Sequence, residues 1–117
     1  MKGASKKLPA VFYRSANGQE PVRSWLKENL SDDDRQTIGE DIATVEFGWP
    51  IGMPVCAPLG GGLWEIRSSL RGKRIARVIF CIVDGELVLL HGFIKKTQKT
   101  QRADLNLADK RRKEVER

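Results

Sequence analysis

Apolar positions in this chain follow a helical spacing up to about residue 48 and a strand spacing from Leu63 onward. Ahead of the helical part, residues 10–14 (AVFYR) read as a short strand, because Val, Phe and Tyr suit a pleated, half-buried surface. Asn17-Gly18 supplies a turn, and Pro21 suits a first helical position, so a helix is predicted from near Glu20 with Val22, Trp25, Leu26 and Leu30 on one face. Ser31 followed by Asp32, Asp33 and Asp34 marks a second helix start, with a side-chain cap and carboxylates at the positive end of the helix dipole. Ile38, Ile42 and Val45 continue one face of that helix, and Gly48 before Trp49-Pro50 ends it. Consecutive helical residues point in different directions, so the aspartate run reads as a charged first turn and not as a metal site.

Residues 48–62 (GWPIGMPVCAPLGGG) read as a long Gly/Pro-rich surface connection and a candidate wall of a site; with no GK[ST] after the glycines it is no P-loop. Three antiparallel strands in meander order are predicted next, over residues 63–69, 75–83 and 86–94, joined by turns at Arg71-Gly72-Lys73 and Asp84-Gly85. A tight Asp84-Gly85 turn pairs Val83 with Glu86, and so Arg77 with Gly92 and Ala76 with Phe93. On that register, the space above Gly92 is a seat for a phosphate or base next to Arg77, and His91 points to the other face, among Val78 and Phe80. His91 then reads either as a packed core histidine or, by its ordinary pKa, as a proton-transfer group. The other turn leaves a second alternative: a two-residue loop puts Arg67 on the face opposite Arg77, whereas a three-residue or bulged loop brings them together. From Lys99 onward the pattern suits a terminal helix with a heavily charged outer face, docked by Ala103 and Leu107.

Together these elements define an α+β class: one small domain over residues 1–117, with two N-terminal helices on an antiparallel sheet and a C-terminal basic helix. The net charge of +6 is unevenly placed: residues 1–14 carry +4, residues 15–62 carry 3 positive against 8 negative side chains, and residues 63–117 carry 14 against 7. Such an asymmetry suits a field aimed at a polyanion. No apolar run approaches the roughly 18 residues of a membrane span, and the first residues lack a signal-peptide pattern, so a cytoplasmic protein is expected. Cys56 and Cys81 have no CxxC spacing, and with His91 the only histidine a Cys/His zinc site is short of ligands; reduced thiols and no metal or other cofactor are expected.

The segment GGGLWEIRSSLRGKRIARVIFCIVDGELVLLHGFIKKTQKT resembles the C-terminal signature of the phage-derived, HigB-like branch of the RelE/ParE toxin superfamily, and the strand, PVRSWL and second helix before it are similar too. This resemblance implies a RelE-like fold and a toxin–antitoxin toxin that cleaves mRNA, usually in translating ribosomes, and is neutralised by an antitoxin, often of helix-turn-helix type. It also implies basic catalytic residues at Arg67 of LWEIR and Arg77 of ARVIF, with Lys96 of FIKKTQKT at a further basic position. The tyrosine that relatives carry on the terminal helix has no counterpart, since the one tyrosine is Tyr13; His91 or a lysine is the candidate replacement. The resemblance also favours the loop that brings Arg67 and Arg77 together.

The chemistry of RNA cleavage asks for the same residue types. Attack by the 2′-hydroxyl needs a base, donors for the charge on the phosphorane, and an acid for the leaving 5′-oxygen. Arginines suit the second task, and a lysine with cationic neighbours suits proton exchange. Arg71, Lys73 and Arg74 at a hairpin tip, with Lys95 and Lys99 after the last strand, are the candidate RNA-binding set; the same residues also suit a solvated turn and junction. The alternative function is a non-catalytic nucleic-acid or protein-binding module, including a ParE-like gyrase poison.

Overall fold

An apolar run as long as residues 75–83 needs cover on both faces, and it has that cover in the computed structural model, which describes residues 5–95 and 100–116. The elements run β1 (Ala10–Phe12), α1 (Pro21–Glu28), α2 (Asp32–Gly48), β2 (Cys56–Gly60), β3 (Leu63–Leu70), β4 (Arg74–Val83), β5 (Glu86–Lys95) and α3 (Arg102–Val115). They form a five-stranded sheet of order β1-β5-β4-β3-β2. Helices α1 and α2 bury Val22, Ile38, Ile42 and Val45 against one face, with Ile66, Val78 and Phe80 of the sheet. On the other face α3 covers Leu63, Ile79, Cys81 and Leu90 with Ala108. This is a small α+β domain of the RelE-like kind.

Local chemistry accounts for the helix starts. Ser31 Oγ accepts from the Asp34 amide at 3.1 Å, capping α2, and Pro21 opens α1. The Asp84-Gly85 turn has both residues at positive φ, 51° and 78°, the geometry a two-residue hairpin requires, and Val83 pairs with Glu86.

Several expectations are corrected. The sheet is mixed, because β1 runs parallel to β5. The connection over residues 48–62 is not all loop: β2 lies within it and pairs antiparallel with β3. Its Pro and Gly content suits an edge strand, which gives up ladder bonds on its outer side. On α3 the docked residue is Ala108, while Ala103 is exposed.

The most consequential correction is in the β4–β5 register. Phe80 pairs with Leu89 but Ile79 pairs with His91, so Leu90 is an extra residue in β5, a β-bulge. Beyond it Arg77 faces Phe93, and Gly92 faces Val78. Gly92 therefore turns toward the α1 side, where a Cβ would come within 2.5 Å of the Trp25 ring. The glycine makes room for an indole and is no seat for a phosphate. The bulge also moves His91 onto the face that carries Ile79 and Arg77. Arg111 of α3 donates to the Leu90 carbonyl at 2.7 Å, satisfying a group at the irregular point of the ladder.

Candidate active site

Alternation along β3 puts Glu65, Arg67 and Ser69 on one face, and β4 adds Ile75 and Arg77 to it. The turn over Arg71–Lys73 is three residues long, with Leu70 opposite Arg74, so Arg67 lies directly opposite Arg77. Gly72 and Lys73 take positive φ, 76° and 59°, to close it. The open alternative in the sequence is thus settled by turn length.

Both guanidiniums converge on one carboxylate. Glu65, fully buried, accepts from Arg67 Nε at 2.9 Å and from an Arg77 terminal nitrogen at 2.6 Å. Thr100 Oγ1 donates to Glu65 at 3.0 Å and accepts from Arg77 at 2.6 Å. A buried carboxylate is tolerable only with such partners. Arg77 is itself only 4% exposed, whereas the Arg67 side chain is 32% exposed. The Glu65 network therefore holds Arg67 at a cleft wall, partly exposed, with a terminal nitrogen 3.5 Å from Met53 Sδ.

Two clefts meet at this pair. The larger, about 480 Å³, is lined by Thr37 and Asp41 of α2, Pro54 and Val55, and the sheet residues Arg67, Ser69, Ile75, Arg77 and Lys95. The smaller, about 330 Å³, lies toward α3, where Leu59, Glu65, Thr100 and Leu105 join the two arginines. Val55 O accepts from the Arg67 amide at 2.7 Å, which pins the wall segment to β3. Lys95 has its pKa lowered by burial first and then by Arg77 and Arg67, so its neutral amine is more accessible than an ordinary lysine's.

His91 Nε2 lies 2.7 Å from an Asp104 carboxylate oxygen, and its ring stacks on Phe93 at 5.2 Å. It is thus neither the packed histidine of the α1/α2 core nor directly opposite Arg77. Lys96 and Lys99, expected as catalytic and RNA-binding residues, lie outside the described residues. At the hairpin tip Arg71 and Lys73 are exposed, but Arg74 forms a two-bond fork with Asp34, at 2.8 and 3.0 Å, and so joins the sheet to α2. Tyr13 is buried under α3, donates to Glu114 at 2.6 Å and lies under the Arg111 guanidinium; its pKa is raised chiefly by that hydrogen bond. Burial pushes both cysteine thiols, Cys56 and Cys81, up to about 11.

Glu65, Thr100 and Asp104 escaped the sequence reading. A carboxylate two residues before Arg67 in a strand is the one available signal, since alternation puts the two on one face; Thr100 reaches the smaller cleft from far along the chain, while Asp104 meets His91 and neither of these two lines the clefts described. Among the described residues no cluster of His, Cys, Asp and Glu could hold a metal ion, and no helix is long and apolar enough to cross a membrane.

A small α+β domain with a cationic cleft on one sheet face is the class these features define. Residues 24–113 match the family described as Phage derived protein Gp49-like (DUF891), and the chain belongs to that family. The family is associated with the toxins of toxin–antitoxin systems. No curated protein matches the chain.

Proposed function

We propose that this protein is a HigB-like toxin of a type II toxin–antitoxin pair in the RelE/ParE superfamily, an endoribonuclease that cleaves mRNA on the translating ribosome in the cytoplasm. The observation that carries the reading is the facing pair Arg67 and Arg77 in one cleft with Lys95. RNA brings its own nucleophile, so the chemistry needs no metal. A base takes the 2′-hydroxyl proton, the 2′-oxygen bonds to phosphorus, and the bond to the 5′-oxygen breaks as that oxygen gains a proton. The products are a 2′,3′-cyclic phosphate and a 5′-hydroxyl.

Arg67 donates to the non-bridging oxygens where charge develops. Arg77, held with Glu65 and Thr100, adds positive charge beside them. Lys95 has the lowered pKa that suits a proton-exchanging lysine, and Lys96 remains a basic catalytic candidate by resemblance. His91, backed by Asp104, is the second proton-transfer candidate. Arg71 and Lys73, with Lys95 and Lys99, meet the phosphates of message or ribosomal RNA. A cognate antitoxin, of helix-turn-helix type, neutralises the toxin by setting carboxylates on this face.

Sequencing of RNA 5′ ends after brief induction tests the reading. Translated messages should acquire new 5′ ends in the wild type and not in Arg67→Ala. Growth arrest with intact transcripts and damaged DNA would instead identify a gyrase poison.

A further inference from the structure

The larger cleft contains one feature that cleavage chemistry does not use. Asp41, half-buried on α2, lines the same cleft as Arg67, Arg77 and Lys95, and among the described residues no side chain pairs with it. A carboxylate in the lining of this space of about 480 Å³ would repel a phosphate placed against it. It does suit a group that offers hydrogen-bond donors.

We propose that this cleft reads a guanine beside the scissile phosphate, with the Asp41 carboxylate accepting from N1–H and the 2-amino group of the base. This deepens, and rests on, the reading of the cleft as an RNA site. Guanine presents two adjacent donors on its Watson–Crick edge, matching the two oxygens of a carboxylate; adenine and cytosine each present one amine there, and uracil one imide N–H. Its O6 and N7 are acceptors, which a cleft with a cationic lining suits. Pro54, Val55 and the exposed Ile75 supply apolar surface for the faces of the base. Unpaired RNA bases are commonly read on this edge.

The fold holds Asp41 in place from a distance. Asp34, Thr37 and Asp41 follow one stripe of α2, at i, i+3 and i+7. The fork between Asp34 and Arg74 fixes that stripe against the β3–β4 hairpin, and Thr37 and Asp41 reach the cleft beyond it.

Binding of two short oligoribonucleotides that differ by one atom group tests the proposal on the purified protein. One contains a central guanosine among uridines; the other has inosine there, which lacks the 2-amino group. The wild type should bind the guanosine form about tenfold more tightly, since a good bidentate contact discriminates by roughly 1.4 kcal/mol or more. Asp41→Asn, nearly isosteric, should bind the two equally, with an unchanged melting temperature. Equal binding of both by the wild type, a preference that persists in Asp41→Asn, or binding of neither overturns the proposal. The outcome is separate from that of the cellular experiment: uncut transcripts would remove the nuclease reading whatever the binding ratio, and cut transcripts with no guanosine preference would remove the base-reading role alone.

Discussion

Glu65 and Arg77, both buried, meet at 2.6 Å in the floor of the candidate active site. The pair is therefore part of the fold as well as part of the site. Arg77→Ala leaves a carboxylate in the interior with one fewer cation, and truncating one member of a buried ion pair costs about 3–5 kcal/mol. Urea denaturation should show that loss, and with it a fall in activity that says nothing about chemistry. A variant with wild-type stability would show that the carboxylate is not held as described.

Arg67 separates the two roles. Its side chain is partly exposed, and Glu65 keeps Arg77 and Thr100 when it is removed. Arg67→Ala should cost less stability than Arg77→Ala, because the removed side chain is partly exposed and Glu65 keeps its buried partners. Loss of a charge-stabilising donor should lower cleavage by roughly 10²–10³-fold. RNA 5′-end counts beside a urea melt measure both quantities.

Lys95 gives a signature in pH. Burial and the neighbouring arginines lower its pKa, so the neutral amine becomes populated at a lower pH than for an ordinary lysine. If the amine transfers the proton, the pH–rate profile has a limb below the usual lysine range near about 10.4, and Lys95→Arg, which keeps the charge, should erase it. An identical limb in Lys95→Arg would exclude this residue from proton transfer.

Gly92 should behave as a packing position. Its added Cβ in Gly92→Ala meets the Trp25 ring at 2.5 Å, and overpacking of this kind costs about 1–3 kcal/mol. Thermal melts should show the loss, with part of it recovered in the double variant Gly92→Ala/Trp25→Leu. A phosphate seat would give the opposite result: full stability and weakened RNA binding.

Asp34 ties acid stability to the Arg74 fork. Arg74 holds the Asp34 carboxyl below its ordinary value, with burial opposing and the Ser31 hydroxyl assisting. A carboxylate whose folded pKa is depressed contributes stability that is fully present above its unfolded pKa, about 4, and is lost as pH falls through the folded value. Denaturation midpoints measured from pH 6 down to pH 2 should fall less steeply in Asp34→Asn than in the wild type. Parallel curves would mean that the fork does not link α2 to the hairpin.

Much of the fold is written in local chemistry. Pro21, the Ser31 cap, Gly48 and the Asp84-Gly85 turn act within a few residues of themselves, and each marks an element boundary where it is found. The edge strand β2 was hidden because Pro and Gly argue for loops, and its partner, β3, comes after it in the chain. Arg67 and Arg77 could be singled out in the sequence, but their meeting depended on whether the turn used two residues or three.

The sequence by itself determined which residues are apolar, where helices start, and which side chains have the chemistry to bind and cleave a phosphodiester. Tertiary structure alone decided how they are grouped. A one-residue bulge at Leu90 reverses the faces of His91 and Gly92, because side chains alternate along a strand. Tertiary contacts set Thr100 against Glu65 and Asp104 of α3 against His91, across 35 and 13 positions of chain. Local propensity carries no record of contacts at that range; they exist only once both faces of the sheet are covered.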